Sequence, residues 1–242
     1  MKKVNVLGVN FDNLTTNQFK SVFQARLAEH ESTFIVTGNP EIVMAAQENP
    51  EYLKILQEQA DYITPDGIGI IKASQWLKQP LQERVTGYDL FTWFMRLAAK
   101  KQLRVYLIGA RLSVIREVQA KIEREYRGIQ LVGAEDGYFK DDFDLVARRI
   151  KKTKPDLVFA ALGFPRQDQL IARLRQLETP AVMMGVGGSF DVFSGTVKRA
   201  PEIFQRLRVE WLYRLLTNPT RLGRMLVLPK FVVRVKHARK KS

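Results

Sequence analysis

The sequence predicts an α/β fold, in which a mostly parallel, Rossmann-like sheet carries helices on both faces and a basic helical appendage follows at the C-terminal end. Three observations predict this architecture. Short runs rich in β-branched residues alternate with longer segments of helical period. The chain has 242 residues, 45% of them hydrophobic, which is enough to bury one substantial core but not a second full domain. Positive charge is concentrated in the last part of the chain.

Seven runs are predicted as strands: VNVLGV (4–9), TFIVTG (33–38), DYIT (61–64), RVYLIG (104–109), IQLVG (129–133), DLVFAAL (156–162) and AVMMGVG (181–187). Five segments between them have the apolar spacing of helices that cover a sheet: Thr16–Glu29, Tyr88–Lys100, Ser113–Tyr126, Phe143–Lys152 and Arg166–Gln176. This alternation favours a parallel sheet buried on both faces. Ligands of such sheets bind beyond the carboxyl ends of the strands, so residues just after each strand are candidates for chemistry.

The charge divides the chain into two predicted parts. Residues 1–196 are nearly balanced and form the predicted catalytic α/β domain, whereas residues 197–242 hold thirteen Lys or Arg and two acidic residues. No acidic residue follows Glu210. Such a segment is attracted to a phosphate-rich partner, which is either an anionic membrane or a nucleic acid.

Within the appendage, two further elements are predicted. Pro201–Leu216 has the pattern of a helix with proline in its first turn, and Asn218-Pro219 ends it. Arg221–Lys241 then mixes apolar residues with Arg and Lys, which suits an amphipathic element lying at a membrane surface.

Several classes of protein are excluded by what the sequence lacks. It has no cysteine, which rules out disulfides, thiolate zinc sites and a thiol nucleophile and fits a cytoplasmic location. The first residues do not make a signal peptide, and no apolar run is long enough to span a bilayer. The dinucleotide and P-loop glycine motifs are missing, and His30 and His237 are not in metal-ligand spacing. We therefore expect neither a cofactor nor a metal site.

Polar residues follow the second predicted strand. Thr37 and Asn39 stand at its end, directly before a helix, where small hydrogen-bonding groups can orient a sugar or a phosphate. The structural alternative is that Asn39 only caps the helix, because Asn is a preferred cap and Pro40 suits the first helical position.

The next strand runs into Thr64-Pro65-Asp66-Gly67, a tight turn at which a ligand can approach closely. Asp66 could accept the proton of an attacking hydroxyl, or it could serve as a helix N-cap, and spacing alone leaves both open. Arg84 in the following loop could contact a diphosphate through its planar fork or remain solvated. Thr86 and Asp89 have the spacing of a structural helix cap.

Glycine-rich turns mark the later strand ends. Gly109-Ala110, the aromatic Tyr138 and the turn containing Gly187 are candidates for holding a nucleotide, and Asp191 could contact its base or ribose or cap a short helix. Asp142-Phe143-Asp144 matches the D-x-D of metal-dependent sugar transferases, but it opens a predicted helix and is interpreted as a solvated first turn.

Taken together, the motifs resemble one family. TGNPEIV (37–43), TPDGIGI (64–70), ERVTGYDL (83–90), GFPRQDQ (163–169), GVGGSFDVFSG (185–195) and RAPEIFQRLRVEWLYRLLTNPTRLGR (199–224) are similar, in this order, to blocks of the WecG/TagA/CpsF glycosyltransferases. The resemblance covers nearly the whole chain, and no block is missing.

This resemblance implies an inverting, metal-independent hexosyltransferase. It would move N-acetylmannosamine from a UDP donor to polyprenyl-diphosphate-linked N-acetylglucosamine, forming the teichoic acid linkage unit at the inner face of the cell membrane. Asp66 would be the general base, and the pocket would be lined by Thr37, Asn39, Arg84 and Gln167. The appendage would close over the diphosphate with Arg214, Arg221 and Arg224.

Two rivals and one open question accompany this interpretation. A relative in the same family could transfer N-acetylmannosaminuronic acid or glucose. A nucleic-acid-binding protein would also explain the basic charge, but Leu, Val, Met and Phe interleave the basic stretch and no nucleic-acid-binding motif is found. We therefore expect an anionic membrane surface rather than nucleic acid as partner. The sequence leaves open whether the chain forms a homo-oligomer.

Overall fold

The computed structural model describes residues 2–139, 142–201, 204, 213 and 226–241, and this part has the predicted α/β architecture. Two strands form a hairpin, β1 (Lys3–Val6) and β2 (Val9–Asp12). Six strands form a parallel sheet: β3 (Thr33–Gly38), β4 (Tyr62–Pro65), β5 (Arg104–Gly109), β6 (Gln130–Glu135), β7 (Leu157–Ala161) and β8 (Val182–Gly185). Their order across the sheet is β4-β3-β8-β7-β5-β6.

Helices connect these strands. They are α1 (Thr16–Ala28), α2 (Pro40–Glu48), α3 (Pro50–Lys54), which continues into a π-helical turn (Ile55–Gln59), α4 (Ile68–Trp76), α5 (Gly87–Lys101), α6 (Leu112–Glu125), α7 (Phe143–Lys152), α8 (Arg166–Gln176), α9 (Ser189–Phe193) and α10 (Val227–Lys241). Successive residues of a central strand enter opposite layers of the core, since Phe34 and Val36 pack in one cluster and Ile35 in the other. The sheet is therefore covered on both faces, as parallel sheets require.

The first predicted strand is wrong. VNVLGV contains the tight turn of the β1–β2 hairpin, in which Leu7 and Gly8 both have positive φ, and the hairpin stays outside the parallel sheet. The hairpin instead contacts the edge strand β4, where the buried carboxylate of Asp12 accepts the backbone N–H of Ile63 at 2.8 Å. Burial raises the pKa of the Asp12 carboxyl, although this hydrogen bond and Lys3 oppose the rise.

The strand order fixes where a ligand can bind. From β5 the chain crosses to β6 on one side and then returns to β7 on the other side of β5. The loops after β5 and β7 therefore leave in opposite directions and open a crevice at the carboxyl ends of the strands. Strand β8 lies beside β7, and β3 lies beside β8, so the loops that follow them leave from the same edge of the sheet.

The last helix belongs to the packed core. Helix α10 lies on α2 and α4, and its Phe231 and Val235 are completely buried. The ring of Phe231 lies beside Gly69, one helical turn after Asp66. The division into residues 1–196 and 197–242 stays a prediction.

Much of the predicted appendage lies outside the described residues. Of the predicted helix 201–216, the structure describes Pro201, which is not helical, and Phe204 and Tyr213, which are both helical and whose ring centroids are 5.4 Å apart. Arg214, Arg221 and Arg224 lie outside it. In the part of the chain that is described, no helix combines the length and the apolar character of a membrane span.

The burial of α10 gives a stability prediction. Replacing Phe231 by alanine should lower the free energy of unfolding by about 3–5 kcal/mol, because a buried ring is lost and a cavity is left. Val233→Ala is the matched control, since Val233 lies on the same helix and is 52% exposed; its effect should stay within about 0.5 kcal/mol. Urea unfolding measures both, and equal small effects would show that α10 is not part of the core.

Candidate active site

Helix α2 starts directly at the end of β3, and this start fixes Asn39. The side-chain oxygen of Asn39 accepts the backbone N–H of Ile42 at 3.0 Å, and Pro40 occupies the first helical position. The capping role considered for Asn39 is thus confirmed. Asn39 also lies beside the turn that carries Asp66, because a Cβ atom on Gly67 would be 3.9 Å from its Cβ. A cap does not prevent its amide from facing a ligand.

Asp66 is not the N-cap of the helix that follows it, so that alternative is wrong. Gly67 is the residue before α4, and the helix start has no side-chain cap. The Asp66 carboxylate instead accepts the backbone N–H of Gly87, the first residue of α5, at 3.2 Å. Its other oxygen lies 3.8 Å from a guanidinium nitrogen of Arg84. The Asp66 side chain is still 27% exposed, so a hydroxyl group of a ligand can reach it.

Arg84 and Thr86 lie in the loop that brings α5 to this carboxylate. The Arg84 side chain is 18% exposed, which contradicts the alternative of a fully solvated arginine. The Thr86 side-chain oxygen accepts the backbone N–H of Asp89, so Thr86 is the N-cap of α5, and its hydroxyl donates to the Asp89 carboxylate. Arg199 pairs with the other oxygen of Asp89 at 2.8 Å. The start of the appendage is thereby tied to the beginning of α5.

Two glycines let the remaining site residues approach one another. A Cβ atom on Gly87 would lie 2.9 Å from the side chain of Thr37, which is tighter than side-chain contacts allow. Thr37 in turn donates to the carbonyl of Gly185 at 3.2 Å. A Cβ atom on Gly185 would lie 2.4 Å from the amide nitrogen of Gln167. Thr37 therefore lies against Gly87 at a distance that only glycine permits, and it donates to Gly185, whose missing side chain makes room for Gln167.

Gln167 ties helix α8 to the glycine-rich turn after β8. Its side-chain oxygen accepts the backbone N–H of Gly187 at 3.1 Å, and the residue is almost fully buried. The structure thus brings together all five predicted pocket residues at the carboxyl ends of β3, β4 and β8: Thr37, Asn39, Asp66, Arg84 and Gln167.

A second group of predicted residues lies at the crevice between β5 and β7. Gly109 has φ of 126°, and a Cβ atom there would lie 2.4 Å from the carbonyl oxygen of Ala161 at the end of β7. Ala110 accepts the backbone N–H of Gly137 at 2.9 Å, which joins the loops after β5 and β6. Tyr138 follows Gly137 and is 77% exposed, so its ring face is available for stacking.

Asp191 and the D-x-D motif have simpler settings. Asp191 is half-buried in the first turn of α9. Asp142 caps α7 by accepting the backbone N–H of Leu145 at 3.0 Å, and Asp144 lies 3.3 Å from Arg173, so the interpretation as a helix start is confirmed. Within the described residues, no three His, Asp or Glu side chains gather as a metal site.

Sequence reasoning missed one buried carboxylate behind the site. Asp168 is completely buried, and the hydroxyl of Tyr52 in α3 donates to its Oδ2 atom at 2.6 Å. A signal was present, because Asp168 stands three and four positions before the buried Ile171 and Ala172 and so lies on the apolar face of α8. Because aspartate is usually exposed, its residue type alone does not predict that Asp168 is buried.

Comparisons with known proteins agree on one family. Residues 4–242 match the glycosyl transferase WecG/TagA/CpsF family. An N-acetylglucosaminyldiphosphoundecaprenol N-acetyl-beta-D-mannosaminyltransferase of Bacillus spizizenii is 49% identical over 88% of this chain and 82% of its own length. The protein of the same name from Bacillus subtilis is 46% identical over 83% of this chain and 78% of its own. The one from Staphylococcus aureus is 39% identical over 99% and 94%.

The buried carboxyl of Asp168 gives a prediction about pH. Burial raises its pKa from 3.8 to about 7, and the nearby groups of Tyr52 and Gln167 oppose the rise. The folded state therefore holds this proton more tightly than the unfolded state, so the stabilisation is complete below about pH 4 and is lost as the pH rises to about 7. Relative to Asp168→Asn, the wild type should lose roughly 2 kcal/mol of unfolding free energy between about pH 5 and about pH 8. Urea unfolding of both proteins at the two pH values measures this difference, and a constant difference would contradict it.

Proposed function

Because the chain belongs to the WecG/TagA/CpsF family of glycosyl transferases, we propose that it transfers N-acetylmannosamine to N-acetylglucosaminyl-diphosphoundecaprenol. The proposal is supported by three relatives that are named N-acetylglucosaminyldiphosphoundecaprenol N-acetyl-beta-D-mannosaminyltransferase and are 39–49% identical over most of this chain. The product would be the linkage unit of wall teichoic acid. The donor in this proposal is the UDP derivative of the sugar.

The observation that carries the mechanism is the setting of Asp66. Direct displacement at the anomeric carbon needs one base for the attacking hydroxyl, and it inverts the configuration of that carbon. The Asp66 carboxylate is fixed by the Gly87 N–H and lies beside Arg84, yet it remains open to a ligand. In the proposal it accepts the proton of the acceptor hydroxyl while the bond between the anomeric carbon and the UDP oxygen breaks.

The leaving diphosphate needs hydrogen-bond donors and positive charge. The guanidinium of Arg84 is of this kind, and further donors would be backbone N–H groups of the turns near Gly109 and Gly187 other than those of Ala110 and Gly187, which already donate to Ala161 and Gln167. These groups would act without a metal ion. Tyr138 would stack on the uracil base, and Asp191 would accept a hydrogen bond from the nucleoside. Asn39, Thr37 and Gln167 would hold the sugar hydroxyl and acetamido groups from the other side of the crevice.

The appendage would serve the acceptor. Arg214, Arg221 and Arg224 would close over the site and neutralise its diphosphate. On α10 the exposed Lys230, Lys236 and Arg239 accompany the exposed Val233, and the exposed Leu226 directly precedes the helix, which suits contact with an anionic bilayer. The enzyme would then work at the cytoplasmic face of the membrane, where the lipid-linked acceptor is held.

The role of Asp66 is tested by Asp66→Asn and Asp66→Ala. The asparagine keeps an oxygen for the Gly87 N–H but cannot take up the proton, so both variants should lose kcat by about 10²-fold or more. UDP affinity, measured by calorimetry, should stay within about twofold because the base is not part of the nucleotide pocket.

Asp144→Asn is the control for removing a carboxylate, since the Asp144 side chain is 67% exposed at the start of α7; its turnover should match the wild type. Thermal melting shows that each variant is folded. Near-normal turnover of Asp66→Asn would show that another group takes the proton.

The role of the appendage is tested by point substitutions, because deleting it would also remove Phe231 and Val235 from the core. Replacing Arg214, Arg221 or Arg224 by alanine should lower kcat/KM about tenfold or more on a soluble, short-chain acceptor. Arg124→Ala, at an exposed position of α6, is the control.

Membrane binding is measured separately on the same proteins, which should float with anionic vesicles and not with neutral ones. Unchanged turnover would limit the arginines to membrane binding, and retention of nucleic acid without flotation would contradict the membrane proposal.

A further inference from the structure

Behind the pocket lies a buried carboxylate that the mechanism above does not use. Asp168 is completely buried and receives one hydrogen bond, from the Tyr52 hydroxyl to Oδ2, whereas Oδ1 has no hydrogen-bond partner within the described part of the chain. Burying such a group is costly compared with an apolar side chain of similar size. The carboxyl of Asp168 is thus a candidate for a role that an apolar side chain could not fill.

The unpartnered oxygen lies next to Gln167. A Cβ atom on Gly185 would be 3.0 Å from Asp168 Oδ1 and 2.4 Å from the amide nitrogen of Gln167. The Asp168 Oδ1 atom, which is an acceptor, and the Gln167 amide nitrogen, which is a donor, thus lie close together on the same side of Gly185. The absence of a side chain at Gly185 leaves the space in which they lie.

An amide group has nearly the same shape in its two orientations, so its partners decide which one it adopts. The backbone N–H of Gly187 requires the oxygen of Gln167. The Oδ1 oxygen of Asp168 lies close to the nitrogen of the amide without a hydrogen bond between them, and an acceptor oxygen at this place attracts an NH₂ group and repels an amide oxygen. The two neighbours select the same orientation of the amide.

We propose that Asp168, held by Tyr52, is a positioning residue that fixes the orientation of the Gln167 amide and, through it, the turn that contains Gly187. The proposal rests on the proposed function in that Gln167 lines the sugar pocket. With the amide reversed, its nitrogen would face the Gly187 N–H, the hydrogen bond would be lost and the turn would move away from the donor sugar.

Tyr52 is itself held firmly, which makes it suited to orient a carboxylate. Its helix α3 starts at a cap in which Asn49 accepts the Tyr52 backbone N–H at 3.0 Å. Its ring is stacked on Phe164, two residues before α8, with centroids 6.5 Å apart. The hydroxyl therefore has a fixed place relative to the start of α8, where Gln167 and Asp168 lie.

Asp168→Leu separates positioning from stability. Leucine removes the acceptor and also the cost of the buried carboxylate, so the variant should melt at the same temperature as the wild type or higher. Its kcat should nevertheless fall about tenfold, with KM for the acceptor within about twofold. Asp168→Asn, whose carbonyl can face the Gln167 amide while its NH₂ group donates to Tyr52, should recover most of this activity.

Thr179→Val is the matched control. Thr179 is also fully buried, its hydroxyl has no partner within the described residues, and it lies just past the far end of α8 from Gln167. This variant should keep the wild-type kcat. A purely structural role of Asp168 would make the leucine and valine variants alike in kcat, and that result would overturn the proposal.

A double-mutant cycle shows whether Asp168 acts through Gln167. In a Gln167→Ala background, Asp168→Leu should cause no further loss of kcat, because the amide that it orients is gone. If the two losses multiply, Asp168 acts independently of Gln167 and the proposal is wrong.

Hydrogen exchange gives a readout that requires no turnover. The amide of Gly187 should exchange about tenfold faster in Asp168→Leu than in the wild type, while amides in β7 and β8 stay unchanged and Thr179→Val has no effect. If the wild type transfers no sugar from any donor, the proposed function fails, but this exchange still decides the positioning role. Unchanged exchange at Gly187 would overturn it.

Discussion

The site depends on one close contact, the seating of Thr37 between two segments of backbone. On one side lies Gly87 at the start of α5, and on the other lies Gly185 at the end of β8. Because neither glycine has a side chain, the N–H of Gly87 reaches Asp66 and the amide of Gln167 lies directly over Gly185. A methyl group at Gly87 would collide with Thr37, and one at Gly185 would collide with the Gln167 amide and Asp168. The chemistry is therefore built into the packing of the backbone.

The contacts of Thr37 are part of a longer chain of contacts, which connects elements that are distant in sequence. Starting from Asp66 it passes through Gly87, Thr37, Gly185 and Gln167 and ends at the buried pair of Asp168 and Tyr52. The parallel sheet makes such a line possible, since β4, β3 and β8 are neighbours and their carboxyl ends meet at one edge. Helix α10 supports the same region from behind by packing on α2 and α4. The C-terminal end of the described chain is thus a part of the core that carries the site.

The sequence predicts the sheet and its covering helices, and it places the candidate residues directly after the strands, because hydrophobic period and glycine turns are local signals. It misplaces the first strand, since the turn at Leu7 and Gly8 interrupts an apolar run without breaking its hydrophobic pattern. It leaves the role of Asp66 undecided, because the contact with Gly87 joins residues 21 positions apart. It does not reveal Asp168 as a buried group, since its partner Tyr52 is 116 positions away. The burial of Phe231 depends likewise on tertiary contacts.

In the proposed mechanism a single carboxylate at this edge of the sheet, that of Asp66, takes the proton of the lipid-linked acceptor as the acceptor displaces UDP directly. The most direct measurement offers the full-length protein a panel of UDP-sugars with a short-chain prenyl-diphosphate-N-acetylglucosamine and determines the anomeric configuration of the product by NMR. The expected result is transfer of N-acetylmannosamine with inversion. A product formed with retention of configuration would contradict the proposed mechanism, and transfer from other UDP-sugars but not from UDP-N-acetylmannosamine would contradict the proposed donor.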